Sequence, residues 1–100
     1  MQIVWTKAAR AEANDIFQYL IERNPQTAEK TATAILTGVE KLADFPRLGR
    51  PGRVEGTREL VITRLPYIVV YAVGDMQITV LRVLRGAQAW PPETAQDADE

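Results

Sequence analysis

Apolar positions along this chain follow one spacing in its first half and another in its second. Ala9, Ala13, Ile16, Phe17, Leu20 and Ile21 recur every three or four residues, which places them on one face of an α-helix. Arg10, Glu12, Asp15, Gln18 and Glu22 fall largely outside that stripe. Thr6 stands just before the run and predicts its N-cap, because a threonine hydroxyl accepts an orphan amide of the first turn. The helix should run to about Arg23. Asn24-Pro25 then predicts a break and a restart. Proline suits the first position of a helix, where its missing N–H would have no intrahelical partner, and Asn24 would be the cap. Ala28, Ala32, Ile35, Val39 and Leu42 form the stripe of a second helix, from Pro25 to about Asp44. Gly38 inside it costs about 1 kcal/mol relative to alanine, which predicts close helix–helix approach there. Phe45-Pro46 ends the helix, since the residue before proline avoids the α region. So short a connection predicts an antiparallel helical hairpin.

Beyond residue 57 the spacing shortens. Arg58–Thr63 reads as a strand. Tyr67–Val73 is β-branched or aromatic at six of seven positions, and Ile78–Leu84 is similarly composed. Gly74-Asp75 marks the turn between them, with glycine tolerating positive φ. Both strands are apolar on both faces, as central strands are. Gln2–Trp5 is a further short strand. Residues 46–57 hold three glycines and two prolines and read as loop, either a plain crossover or a functional segment. The order β-α-α-β-β-β predicts an α+β domain in which the helical hairpin packs on an antiparallel sheet. Residues 1–92 form this single domain, and residues 93–100, acidic and small, form a frayed tail. Only one face of the sheet would carry helices, so apolar surface on the other should be reserved for a partner.

Composition narrows the chemistry. The chain has 100 residues, no cysteine and no histidine. Thiolate and imidazole metal sites are therefore excluded, and no glycine-rich loop opens a helix, so no metal and no organic cofactor are expected. The absence of cysteine points to a reducing compartment, and no apolar run reaches membrane-spanning length; the expectation is a cytoplasmic protein with no membrane partner. Net charge is −1 but unevenly placed. Residues 47–92 carry seven basic side chains, all arginine, against three acidic ones, a balance of +4. Arginine is an ordinary surface residue; it is also a planar fork that suits carboxylates and phosphates. A nucleic-acid binder would carry a larger positive excess.

Three runs then carry a family resemblance. They are Gly56-Thr57-Arg58-Glu59-Leu60-Val61-Ile62, Pro66-Tyr67-Ile68-Val69-Val70-Tyr71, and Leu84-Arg85-Gly86-Ala87-Gln88-Ala89-Trp90-Pro91. Together with Trp5-Thr6, Ala9, Phe45-Pro46 and Gly49-Arg50, they resemble the ParE/RelE superfamily of bacterial toxins over roughly residues 3–91. The resemblance implies a toxin of a type II toxin–antitoxin module, neutralised by a small cognate antitoxin of the ParD kind or similar. It also implies two possible targets. RelE-like members cut messenger RNA on the ribosome, are usually strongly basic, and carry an arginine in an Arg-Leu-Val-Tyr pattern. Here that position is Ile68, and Arg85 stands where related toxins often have histidine. ParE-like members poison DNA gyrase by protein–protein contact without a hydrolytic site, and the near-neutral charge fits them better. A domain that binds antitoxin but has lost toxicity is a third reading.

RNA cleavage by 2′-hydroxyl attack needs a base, a donor and charge stabilisation. Arginine stays protonated and is a poor base. Glu55 or Glu59 could be the base, with Tyr67 or Tyr71 nearby, although a carboxylate beside arginine is more often an ion pair. No catalytic residue is therefore assigned. The target-contact candidates are Arg58, Arg82, Arg85, Gln88 and Trp90, with Glu59, Tyr67, Tyr71 and Arg50 behind them. Arg82 should point inward and pair with Glu59 or Glu40. Arg85 and Arg82 should face opposite sides of their strand. Trp90 either joins Arg85 in a contact surface or plugs the core. The antitoxin should present an amphipathic helix and acidic residues.

Overall fold

The computed structural model describes residues 1–62 and 65–86. A strand β1 (Gln2–Trp5) leads into helices α1 (Lys7–Arg23) and α2 (Pro25–Lys41). Four strands follow: β2 (Arg50–Pro51), β3 (Arg58–Val61), β4 (Tyr67–Val73) and β5 (Gln77–Arg85). They form one sheet in the order β1-β5-β4-β3-β2. The α+β order expected from the sequence is present. The sheet is mixed: β2 to β5 pair antiparallel, whereas β1 joins β5 in parallel.

Both predicted caps form. Thr6 Oγ1 accepts the Ala9 amide at 3.0 Å, and Asn24 Oδ1 accepts the amides of Gln26 and Thr27 at 3.1 and 3.2 Å. The α2 helix ends at Lys41, before Asp44, in a run of turns that leads to Phe45-Pro46. Its buried residues, Ala28, Thr31, Ile35 and Val39, follow the predicted stripe, with Thr31 as the polar exception. Gly38 marks close approach to the sheet and not to α1. A Cβ there would stand 3.3 Å from both the Ile62 and Leu60 side chains.

The core lies between the helices and one sheet face. Ala9, Ile35, Val39 and Leu42 pack against Leu60, Val69, Tyr71, Ile78, Val80 and Val83. On the other face the expected bare apolar surface is present only in part. Val70 is completely buried and Leu84 is 6% exposed. The register sets Val70 between Glu59 and Arg82, whose long side chains flank it on both sides. Val61, which follows Glu59 on that face and pairs with Ile68, is 49% exposed, and Leu36, Phe45 and Leu48 are exposed on α2 and in the segment after it. Two local readings also change. The 46–57 loop contains β2, and the left-handed backbone falls at Gly56, with φ of 85°, and not at Gly74. The end of the predicted Arg58–Thr63 strand, the candidates Gln88 and Trp90, and the tail 93–100 lie outside the described residues.

Candidate functional site

The register sorts the sequence-selected residues into three groups. Arg58 pairs across the ladder with Tyr71, and both serve the segment that enters β2. The Tyr71 hydroxyl donates to the Pro46 carbonyl at 2.7 Å and accepts the Gly49 amide at 2.9 Å. Arg58 Nε donates to the Gly49 carbonyl at 2.9 Å. Tyr71 is completely buried. A Cβ on Gly49 would stand 2.7 Å from the Glu59 carbonyl oxygen and 2.8 Å from the Tyr71 ring, so only glycine fits between them. These two candidates clamp residues 46–49 against the sheet.

The second group runs across the sheet as Arg50, Glu59, Val70 and Arg82. Glu59 is 3% exposed. Its carboxylate accepts from Arg50 Nε and Nη2 at 3.2 and 3.0 Å, and from the Arg53 amide at 3.2 Å. A carboxylate so buried requires this pairing. Among the described residues Arg82 pairs with Glu12 of α1, and not with Glu59 or Glu40. Arg82 Nε donates to Glu12 Oε2 at 2.7 Å, its Nη2 donates to the same oxygen, and the Val83 amide donates to Glu12 Oε1 at 2.9 Å. The reason is that β1 stops at Trp5 and pairs with β5 only as far as Val80. Beyond that point α1 covers the open edge of β5. Thr6 Oγ1 donates to the Leu81 carbonyl at 3.0 Å, and Glu12 takes the next outward amide.

The third group gathers at the far end of β5. Tyr67 pairs with Arg85 across the ladder. The Arg85 guanidinium carbon lies 5.8 Å from the ring centroids of both Tyr67 and Tyr19. Arg23 lies 3.7 Å from the Tyr19 centroid. Arg82 and Arg85 therefore sit in separate surroundings, one at the Glu12 edge and one among tyrosines. Sequence reasoning missed Glu12, Tyr19 and Arg23. Their spacing on α1 was available, since residues 12, 19 and 23 share a helical face, but nothing local said which strand that face would meet.

Two concavities flank these groups. A groove of about 670 Å³ lies between α2 and β3, lined by Ala34, Gly38, Lys41, Leu48, Leu60 and Ile62 among others. A smaller cleft of about 210 Å³ opens between the two helices beside Trp5 and Thr31. Among the described residues no three His, Cys, Asp or Glu side chains group to hold a metal ion. No described helix is long and apolar enough to cross a membrane.

The helical hairpin on a mixed five-stranded sheet is the architecture that the sequence resemblance implied, and comparison with known proteins gives the class. Residues 3–90 match the family model described as the ParE toxin of the type II toxin–antitoxin system parDE. The chain belongs to that family. It is 37% identical over 90 residues to "Putative toxin Y4kP" of Sinorhizobium fredii, covering 90% of this chain and 93% of that one. It is 32% identical over 87 residues to Toxin RelE2 of Caulobacter vibrioides, covering 87% and 97%. Among solved structures it resembles a chain of the chromosomal ParDE system from P. aeruginosa, with a TM-score of 0.76, 30% identity, and coverage of 85% and 95%. A chain of the RelBE2 toxin–antitoxin complex from Mycobacterium tuberculosis shares the fold at 22% identity, with a TM-score of 0.58 and coverage of 84% and 95%.

Proposed function

We propose that this toxin acts by protein–protein contact on DNA gyrase, without a hydrolytic site, and is neutralised by a cognate antitoxin. The observation that carries the reading is the commitment of Glu59, Tyr67 and Tyr71 to structure. Glu59, a candidate base, is buried and accepts three hydrogen bonds. Tyr71 is buried with its hydroxyl engaged twice, and Tyr67 is 3% exposed. None of these can reach a ribose hydroxyl without dismantling the sheet. Glu55, the other candidate base, is exposed in the 46–57 loop, and the arginines bind and steer but do not take a proton.

The α2–β3 groove supports an antitoxin partner. Its floor is apolar, small residues keep it open, and Lys41 and Arg50 stand among its lining residues. An amphipathic helix with acidic flanks fits those features. Both structural neighbours come from toxin–antitoxin systems. Induction of the full chain in a bacterial host tests the target. The expected result is growth arrest with a DNA-damage response and unchanged messenger ends. New cuts within translated messages, with no damage response, would favour the ribosomal target instead.

A further inference from the structure

The Tyr19 ring lies on α1, one turn before the helix end, and is 46% exposed. Arg23 stacks on it at 3.7 Å while its Nη1 donates to the Tyr19 carbonyl at 2.9 Å. Arg85 approaches the same ring from the end of β5 and also stands over Tyr67, which is anchored in the core. A helix and a strand far apart in sequence thus bring two guanidinium groups to one exposed aromatic plate. Tyrosine and arginine are the side chains that dominate interface hot spots. Stacking and the carbonyl bond also hold Arg23 in one arrangement, so it loses less freedom when a partner binds.

The charge of the surroundings selects the partner. Two guanidinium groups recognise an oxyanion. Asp15 and Glu22, exposed on the same helix, would repel a continuous polyanion, and the chain's net charge is −1. A carboxylate on a protein surface fits better than a nucleic-acid backbone. We infer that Tyr19, Arg23 and Arg85 form a contact surface that grips an isolated carboxylate on the target protein, distinct from the α2–β3 groove. The inference rests on the protein-contact reading above and deepens it.

Purified full-length chain carrying Tyr19→Ala, Arg23→Gln or Arg23→Lys is compared with wild type for half-inhibition of gyrase supercoiling. Lys30→Gln, on the exposed side of α2, is the control. Tyr19→Ala and Arg23→Gln should each need at least about tenfold more protein. Arg23→Lys should also be weakened, because lysine keeps the charge at the helix end but lacks the planar fork. Melting by circular dichroism should show all variants folded. Arg23 is exposed, so its variants decide the matter even if Tyr19→Ala fails to fold. Equal inhibition by wild type and the Arg23 variants overturns this surface alone. A wild type that inhibits nothing overturns the protein-contact reading and this surface with it. Tight binding of a single-stranded RNA oligonucleotide, weakened by Arg23→Gln, would also overturn it in favour of a nucleic-acid ligand.

Discussion

At the scale of single residues, the strongest constraints lie where side chains hold backbone. The Tyr71 hydroxyl satisfies one buried donor and one acceptor in the 46–49 segment. Tyr71→Phe keeps the ring and leaves the Gly49 amide without its partner, so it should cost about 1–3 kcal/mol in chemical denaturation. Gly49→Ala forces a Cβ against a backbone oxygen 2.7 Å away, and backbone cannot step aside as a side chain can. It should lose about 1–3 kcal/mol by the same measurement. What was legible at this scale was local. Thr6 and Asn24 cap through neighbours three residues away or fewer, and the sequence names both. Arg82 was identified as needing a partner, but that partner is 70 residues away in the chain. Glu12, Glu40 and Glu59 look alike until the sheet order is known.

At the scale of elements, periodicity carried both helices and the β4–β5 hairpin. It could not carry β2, whose two residues include a proline and carry no strand signal of their own. Nor does a four-residue β1 announce its direction; the parallel pairing follows from where the helical hairpin returns the chain. That pairing leaves the second half of β5 open, and Glu12 closes it. Removing the carboxylate should therefore act on the strand edge as well as on the ion pair. In Glu12→Ala the Val83 amide should exchange with solvent faster than in wild type, by hydrogen exchange. Overall stability should fall by about 1–3 kcal/mol, since the pair is only partly buried but also holds a backbone amide. In a double-mutant cycle with Arg82→Ala the two losses should not add. Additive losses with unchanged Val83 exchange would mean that α1 covers the edge by packing alone.

At the scale of the molecule, the two-layer architecture was legible because a helical hairpin and a three-strand meander each need an apolar partner. The location of surplus apolar surface was not. A sequence alternation cannot show that Glu59 and Arg82 flank Val70, since that depends on three strands being in register. Val61 stays half exposed on that face, and further apolar exposure lies along the α2–β3 groove, where Leu48 is about half exposed. Substituting Leu48→Asp should leave the protein folded with only a modest loss in melting temperature, because the side chain is half exposed and outside the core. It should weaken antitoxin binding at least about tenfold by isothermal titration if the groove is the docking site.

In the proposed mechanism the chain's arginines and tyrosines hold a shape that inhibits DNA gyrase by contact. The most direct measurement adds purified full-length chain to purified DNA gyrase, ATP and relaxed plasmid, with the supercoiled product resolved by gel. Supercoiling should fall as the chain is titrated and recover on addition of the antitoxin. Undiminished supercoiling at a molar excess of folded chain would contradict the account.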